Sequence, residues 1–303
     1  LEAPSLIDTL GIGVHVSGLD AGQLLNRGWA VHTKRTLATE DVWASIAAGG
    51  VRLCYGAGFA WLAAEASLAP LQGKSNAELL DAAECREAAG LMRDVAAAAA
   101  AVELPDLDSW TVSRFDPVHA WPCDPALYVG ALIAARLPRT VPVHYGQSVR
   151  WVTRSGRVRG RCYDKAAEQG EPVDLPLRLE RQIRRREVVR IDGQVIGRST
   201  AEVLSDRLCY EVLRGTVSEL GLDKPIPSVL QTRGRLVDAL GVRAGRNSWA
   251  MLRDLLDNGG VWPSDVRAWT RRRCERQWRR AGVLVVSPVG ELPALELPEP
   301  SGG

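Results

Sequence analysis

The residues best suited to chemistry lie in one stretch, Arg157 to Glu168, which reads RVRGRCYDKAAE. It is predicted to be a strand that runs into a turn or short helix. Side chains alternate between the two faces of a strand. The face of Tyr163 would therefore also carry Arg157, Arg159, Arg161 and Lys165. A row of arginines beside a phenol is suited to holding a phosphate chain against Tyr163. The stretch alone is equally compatible with a solvated edge strand.

Three carboxylates accompany this stretch. Asp116 closes a predicted strand, Glu168 follows Tyr163, and Glu180 ends the sequence Leu-Arg-Leu-Glu of a further strand. Carboxylate oxygens are ligands that Mg²⁺ and Mn²⁺ prefer, and a bound cation would act as a Lewis acid on a phosphoryl group. The phenol of Tyr163, with a solution pKa of about 10, would need Lys165, an arginine or the metal to favour phenolate.

Each of these residues also has an ordinary structural interpretation. A lone strand tyrosine usually packs in a core, and an aspartate before proline usually forms a turn. Glu180 beside Arg181 would usually form a surface ion pair of little energetic value. The chemical interpretation of Tyr163 therefore depends on the combined pattern and not on any one residue.

Three motifs in order carry a resemblance to a known family. The first is Trp110-Thr-Val-Ser-Arg-Phe-Asp116, and the third is Leu177-Arg-Leu-Glu180. The second begins with Arg150-Trp151 and continues with the stretch Arg157 to Glu168, which contains Tyr163-Asp-Lys-Ala-Ala-Glu168. The segment that they span resembles the filamentous-phage gene II/X replication-initiator family. It is similar, more loosely, to rolling-circle plasmid initiators and to relaxases with a Tyr-x-Lys-x-x-Glu signature. Phe115 stands where the family usually has isoleucine, which is an apolar exchange.

The resemblance implies a metal-dependent endonuclease that nicks and rejoins one DNA strand at a replication origin. Tyr163 would be the nucleophile that forms a phosphotyrosine intermediate, and Lys165 would contact the phosphate or activate the phenol. Asp116, Glu168 and Glu180 would be metal ligands or the base, with Mg²⁺ or Mn²⁺ as the cofactor. The expected partners are single-stranded DNA, the origin duplex and host replication proteins.

DNA contacts are expected from arginines in two parts of the chain. In the strands they are Arg114, Arg157, Arg159, Arg161 and Arg178, and in the C-terminal helices they are Arg272 and Arg276. The segment 236–286 resembles a helix-turn-helix or winged-helix outline, whose recognition helix would read the major groove. The alternative for its arginine-rich helix is a solvated face that packs two tryptophans on the core.

Two other functions are compatible with the same motifs. A relaxase or integration protein of a mobile element would use the same chemistry for strand transfer. A DNA-binding regulator would use the basic surface without cutting, and its activity would survive Asp116→Ala and Glu180→Ala.

The elements that would position these residues follow from hydrophobic periodicity and from breakers. Strands are predicted at 6–16, 29–37, 51–59, 61–69, 109–117, 141–145, 149–153, 157–163 and 177–182. Pro117 is expected to end the fifth of these strands, which leaves His119 in a loop. Capping boxes at Ser75 and Ser199 predict helices that extend to about Val102 and Gly221. Shorter helices are predicted at 19–25, 124–136, 228–240, 247–256 and 263–281, with a strand at 283–286.

This pattern predicts an α+β fold with a largely antiparallel sheet and flanking helices, followed by a helical, winged-helix-like region. The expected domains are a catalytic domain over 1–197, a helical DNA-binding region over 198–290 and a flexible tail over 291–303. Six cysteines without a CxxC pair favour reduced thiols, and no apolar run is long enough to span a membrane. With no secretory signal pattern, the expected location is the cytoplasm of a bacterial host. The net charge of +2 makes no case for nucleic acid, but arginine is dense over 150–190.

Overall fold

A computed structural model describes residues 7–35, 40–132, 135, 137, 139–185, 187, 189–191, 194–258 and 262–300 of the 303-residue chain. The chain divides into two compact units. The first comprises Leu1–His119, Gln182–Val212 and Glu299–Gly303, and the second comprises Ala120–Arg181 and Leu213–Pro298. The domain boundaries expected from the sequence stay a prediction.

Strands and helices follow one another through both units. The first elements are β1 (Ile7–His15), α1 (Ala21–Asn26), β2 (Ala30–Arg35), β3 (Glu40–Ala48), β4 (Val51–Gly56), β5 (Trp61–Ser67), α2 (Leu68–Leu71), α3 (Ala82–Ala100) and β6 (Thr111–Trp121). The next are α4 (Pro125–Ala131), β7 (Thr140–Tyr145), β8 (Ser148–Thr153), β9 (Val158–Asp164), α5 (Lys165–Gln169) and β10 (Leu177–Arg181). The last are β11 (Ile183–Arg184), β12 (Arg190–Ile191), β13 (Gln194–Val195), α6 (Thr200–Val203), α7 (Asp206–Leu220), α8 (Val229–Leu240), α9 (Val242–Asp257) and α10 (Ala268–Arg280).

The first unit is built on an antiparallel sheet with the strand order β2-β3-β4-β5-β1-β6, and β11 pairs with β6. Apolar side chains alternate along its strands, so that Leu62, Ala64 and Ala66 of β5 point into the core. Helix α3 contributes its buried face to the same core, with Ala88 and Met92 fully buried. The core is thus formed between one sheet face and one long helix.

The second unit contains the antiparallel sheet β10-β9-β8-β7. The register of β9 with β10 pairs Tyr163 with Arg178 and Arg161 with Glu180. The inner sheet face buries Trp151, Cys162 and other apolar residues, on which the helices of this unit pack. The register therefore places the phenol, two guanidinium groups and a carboxylate on neighbouring strands.

The C-terminal helices α8, α9 and α10 belong to the second unit and share its core. Trp278 of α10 is fully buried, stacks on Trp262 with ring centroids 5.4 Å apart, and donates from Nε1 to the carbonyl of Ser248 in α9. At the crossing of α8 and α9, a Cβ on Gly245 would lie 2.6 Å from Cα of Val237, so only glycine allows this close approach. The prediction of tryptophans packed on the core is confirmed for Trp278, whereas Trp269 is exposed.

Several predicted elements were placed wrongly. The long helix begins at Ala82 rather than near Ser75, because the capping box that precedes it is Asp81 with Glu84, whose side chains and backbone N–H groups bond reciprocally. Ser75 and Glu78 form a separate turn, in which the Ser75 N–H donates to Glu78. The sequence offers two similar boxes six residues apart, and only the second precedes the helix.

Strand β6 continues beyond Pro117, so His119 is a buried strand residue and not a loop residue. The pairing of β6 with β1 shifts register next to Pro117, and such an irregularity accommodates the missing N–H group of proline.

Strand β3 was not predicted, because alanines are weak strand formers. The turn that joins it to β4 consists of Gly49 and Gly50, both with positive φ, which is a strong hairpin signal.

Two predictions after residue 198 were also wrong. The helix expected over 199–221 is divided into α6 and α7, because the Ser205 side chain accepts from the Leu208 N–H and caps a new helix. The strand expected over 283–286 is absent among the described elements. The N–H groups of Val283 and Val286 instead donate to the carbonyls of Trp278 and Ala131, so they form no ladder.

The α+β prediction is confirmed: antiparallel strands with flanking helices are followed by a helical C-terminal region. All six cysteines are free thiols, as expected. Among the described helices, none combines the length and apolar character needed to cross a membrane. The predicted helix end near residue 136 and the strand end at 37 lie outside the described residues.

Candidate active site

Tyr163 lies near the end of β9 with its side chain buried, 3% exposed. Its hydroxyl donates to Glu180 Oε1 over 2.5 Å, and Glu180 is 1% exposed. Because Glu180 pairs with Arg161 in the ladder, it is the diagonal neighbour of Tyr163 across the two strands. The predicted nucleophile and one of the predicted carboxylates are therefore in direct contact.

Arg161 connects the carboxylates of this site. Its Nε donates to Glu180 Oε2 over 2.6 Å and its Nη2 donates to Glu180 Oε1 over 2.9 Å, which is a bidentate pair. Its Nη1 donates to Glu168 over 3.0 Å. The guanidinium carbon also lies 4.3 Å from the centroid of the Tyr163 ring, within cation–π distance. Arg161 thus covers the ring of Tyr163 and binds both glutamates.

Lys165 is fully buried at the beginning of α5, and its Nζ donates to Glu168 Oε2 over 2.6 Å. Its ammonium group lies 5.8 Å from the centroid of the Tyr163 ring. Arg161 is thus closer than Lys165 to the ring of Tyr163, and Lys165 also holds Glu168. The Asp164 side chain accepts from the Ala167 N–H and fixes the start of this helix.

The protonation states follow from burial and neighbouring charge. Burial raises the pKa of Tyr163 well above its ordinary value, and the charge of Glu180 raises it further, while Arg161 and Arg178 oppose the shift. Burial favours the neutral form of Glu168, but the hydrogen bond from Lys165 and the charge of Arg161 outweigh it and hold its pKa below the ordinary range. The phenol therefore keeps its proton at neutral pH, and an attack would require a base in contact with it.

A cleft of 240 Å³ opens beside Tyr163. Its lining includes Tyr145, Ser148, Arg150, Arg161 and Glu168. The β7–β8 hairpin, whose turn contains Gly146 at φ +51°, carries the first three of these residues. Arg150 stands directly opposite Arg161 in the β8–β9 ladder. The cleft therefore combines an aromatic ring, two guanidinium groups and the phenol of Tyr163.

Sequence reasoning missed Tyr145, which lies outside the three motifs. Arg150 belongs to the second motif but was not selected as a site residue. The distance of both from Tyr163 is set by hairpin pairing rather than by sequence separation. The available signal was the turn at Gly146 between two short apolar strands, which predicts a hairpin and hence its neighbours.

The predicted metal ligands lie in different units. Asp116 is in the first unit, is 1% exposed, and accepts from Arg114, which also donates to Glu65 over 2.7 Å. Glu168 and Glu180 are in the second unit, and Arg161 or Lys165 already neutralises each of them. Across the described residues, no three His, Cys, Asp or Glu side chains form a group able to hold a metal ion. In a metal shell the carboxylates would contact the metal ion, whereas here each contacts a guanidinium or ammonium group. The metal site stays a prediction.

The predicted DNA-contacting arginines differ in exposure. Arg178, the ladder partner of Tyr163, is 1% exposed. Arg114 pairs with acidic groups, and Arg157 and Arg159 are half-buried. Arg272 and Arg276 are exposed on α10. Of the seven, only these two are exposed. DNA binding by all of them stays a prediction.

No family model matches the chain, and no curated protein matches it. A solved structure described as a rolling circle replication initiator protein from Geobacillus stearothermophilus aligns with 72% of this chain and 85% of its own, at 13% identity and a TM-score of 0.34. A similarity at this level leaves the function to be inferred from the residues of the chain itself.

Proposed function

We propose that this protein nicks and rejoins one strand of DNA through a covalent bond to Tyr163, as an initiator of rolling-circle replication. The observation that carries the proposal is the hydrogen bond from Tyr163 Oη to Glu180 beside an arginine-lined cleft. A nucleophile in contact with a base, and a cation next to both, is the arrangement that phosphoryl transfer requires.

In the proposed reaction Tyr163 Oη attacks the phosphorus of a DNA phosphodiester while its proton passes to Glu180. The bond from phosphorus to the 3′ oxygen breaks, and that oxygen takes the proton back from Glu180, directly or through water. The products are a phosphotyrosine ester with the 5′ end and a free 3′ hydroxyl. Rejoining is the reverse: the 3′ hydroxyl attacks the ester and Tyr163 regains its proton. The ester conserves one phosphodiester, so no energy source is needed.

Arg161 is proposed to stabilise the charge that develops on the non-bridging phosphate oxygens. Its guanidinium lies over the Tyr163 ring and is partly exposed in the cleft, with 23% of the side chain accessible. An incoming phosphate competes with Glu180 and Glu168 for this guanidinium. Moving Arg161 toward the phosphate would uncover the phenol and release Glu180 to act as the base.

Dependence on Mg²⁺ or Mn²⁺ is part of the proposal, because the family that the motifs resemble uses a divalent cation. Asp116, Glu168 and Glu180 are the proposed ligands, and a bound cation would supply Lewis-acid stabilisation of the phosphate. Each carboxylate pairs with a cationic side chain instead, so no step above is assigned to the metal.

The proposed biological role follows from the products. A free 3′ hydroxyl on a nicked circle is a primer for a host polymerase, so host replication proteins are proposed partners alongside DNA. Arg272 and Arg276 on α10 are proposed to bind the origin duplex through its phosphates. A bacterial cytoplasm is the compartment in which such an activity would operate.

Covalent capture tests the chemistry without requiring the origin sequence. The full chain is incubated with Mg²⁺ and a random-sequence single-stranded DNA library, and DNA that stays on the protein in detergent is sequenced. We expect adducts from the native chain and none from Tyr163→Phe. Tyr128→Phe is the matched control, because Tyr128 is a buried tyrosine of the same unit that donates to the Pro293 carbonyl. Adducts that persist in Tyr163→Phe, or are lacking in the native chain, overturn the proposal.

Covalent capture separates a DNA-binding regulator from the two nicking functions, and a plasmid assay separates the initiator from the relaxase. A DNA-binding regulator would bind DNA but form no adduct. To distinguish an initiator from a relaxase, the captured site and the gene are placed on a plasmid without its own replication functions. Replication in the host supports the initiator, whereas transfer to a second cell without replication supports the relaxase.

A further inference from the structure

The cleft beside Tyr163 has features that the proposed reaction does not use. We propose that it binds a single unpaired nucleotide of the DNA strand, with the base stacked on Tyr145 and a phosphate bound by Arg150. The inference rests on the proposed function of Tyr163, and it names the residues that would position the strand beside it: Tyr145 for a base and Arg150 for a phosphate.

Tyr145 is unusually placed for a large aromatic residue. It is the last residue of β7 and is 60% exposed, whereas Tyr163, which lines the same cleft, is buried. The guanidinium of Arg150 lies 5.4 Å from the centroid of the Tyr145 ring. Proteins that bind single strands stack bases on exposed aromatic rings and on arginine planes. An aromatic ring with an adjacent guanidinium offers both surfaces.

The charges of the cleft favour a phosphate next to this ring. Arg150 and Arg161 are direct cross-strand partners, and like charges directly opposite each other are destabilising. Glu180 and Glu168 offset the charge of Arg161, which leaves that of Arg150 for an added anion. Asp164 and Glu168 are the acidic residues of the lining, but Asp164 caps α5 and Glu168 is bound by Lys165 and Arg161. Among the described residues, Arg150 forms no ion pair with a carboxylate. Its guanidinium is therefore available to a phosphate oxygen.

Stacking on Tyr145 requires an unpaired base. The cleft of 240 Å³ is smaller than the about 300–1,000 Å³ usual for drug-sized ligands, which favours contact with one nucleotide unit rather than with several. A base within a duplex has both faces covered by its neighbours and cannot stack on Tyr145. Gln147 lines the same cleft, and its amide can donate to and accept from an exposed base edge.

Binding is measured on the full chain with Tyr163→Phe as the parent, so that cleavage cannot occur. The probe is a fluorescent oligothymidylate, and its anisotropy is followed at several salt concentrations. We expect Tyr145→Ala to weaken binding about tenfold and Tyr145→Phe, which keeps the ring, to bind like the parent. Arg150→Gln should weaken binding and reduce the salt slope by about 0.7. Arg154→Gln, at an exposed arginine in the following turn, is the control and should bind like the parent.

Competition identifies the occupant. Unlabelled single strand should displace the probe, whereas the duplex of the same sequence and free thymidine monophosphate should be far weaker competitors. Equal binding by Tyr145→Ala and the parent, or equal competition by duplex, overturns the inference. Stronger competition by the free nucleotide would identify a mononucleotide site instead and also overturn it. Failure of covalent capture in the native chain is a separate result that contradicts the role of Tyr163 and leaves these binding measurements interpretable.

Discussion

The hydroxyl of Tyr163 donates to Glu180 Oε1 over 2.5 Å, which joins a buried phenol to a buried carboxylate. Because burial and the charge of Glu180 raise the pKa of the phenol, Tyr163 is protonated at neutral pH. A protonated nucleophile needs a base, and Glu180 is the carboxylate in contact with it. This relationship gives Glu180 a role as the base, beside its proposed role as a metal ligand.

Replacing the base should slow the chemistry more than the binding. We expect Glu180→Gln to lower the rate of adduct formation by about 10²- to 10⁴-fold while single-strand binding is retained. The residual rate should rise with pH, because solvent must then remove the phenolic proton. Glu219→Gln, at a half-buried glutamate of the same unit, is the control. A pH-independent residual rate, in a variant whose thermal unfolding matches the native chain, contradicts a base role.

The same hydrogen bond should contribute to stability. Tyr163→Phe removes a donor from a charged acceptor, so we expect the free energy of unfolding to fall by about 1.5–3 kcal/mol. Tyr128→Phe removes a bond of 3.1 Å to a neutral carbonyl and should cost about 0.5–1.5 kcal/mol. Urea unfolding followed by tryptophan fluorescence measures both. Equal losses in the two variants would show that the charge on Glu180 adds nothing to this bond.

Acid should destabilise the protein through His119. Burial lowers the pKa of His119 to about 4, compared with about 6.5 in an unfolded chain. Below pH 6.5 the unfolded chain takes up a proton that the folded chain does not. The stability is therefore complete above about pH 6.5 and decreases down to about pH 4, by roughly 3 kcal/mol at most.

His119→Gln removes this titration. We expect the difference in free energy of unfolding between the native chain and His119→Gln to shift in favour of the variant as the pH falls from 7 to 4.5. His32→Gln, at an exposed histidine of the first unit, serves as the control. A difference that is constant over this range would contradict the buried neutral state of His119.

Salt dependence tests the two exposed arginines of α10. If Arg272 and Arg276 each neutralise one phosphate of a duplex, the double change Arg272→Gln/Arg276→Gln should reduce the slope of log K against log salt by about 2. Arg27→Gln/Arg86→Gln removes the same charge from exposed positions in the first unit and should leave the slope unchanged. A similar reduction in both double variants would indicate an effect of net charge rather than a binding site.

Chelation tests the proposed cation. Adduct formation should stop in EDTA and return with Mg²⁺ or Mn²⁺, whereas oligonucleotide binding should persist. Asp116→Asn should lower the adduct rate, and Asp108→Asn, at an exposed aspartate of the first unit, should not. Full activity in EDTA would remove the metal from the proposal but would leave the chemistry of Tyr163 and Glu180 unaffected.

The sequence alone was sufficient for the succession of strands around Tyr163. It grouped Asp116 with Tyr163, Glu168 and Glu180, of which the last three belong to one unit and Asp116 to the other. Apolar alternation and turn residues are local signals, and they placed β7, β8, β9 and β10 within a few residues. The same local signals failed where two capping boxes competed, and where Pro117 lay in a strand whose register shift accommodates it.

Only the tertiary structure decided which groups touch. The β9–β10 register places Arg161 opposite Glu180, and the β8–β9 register places Arg150 opposite Arg161. A shift of one residue would turn these side chains to the opposite face of the sheet. Register depends on packing between segments far apart in the chain. The sequence therefore predicted a tyrosine among carboxylates, but not which of these side chains touch. The folded chain shows a buried phenol bonded to Glu180, covered by Arg161 and adjacent to the exposed ring of Tyr145.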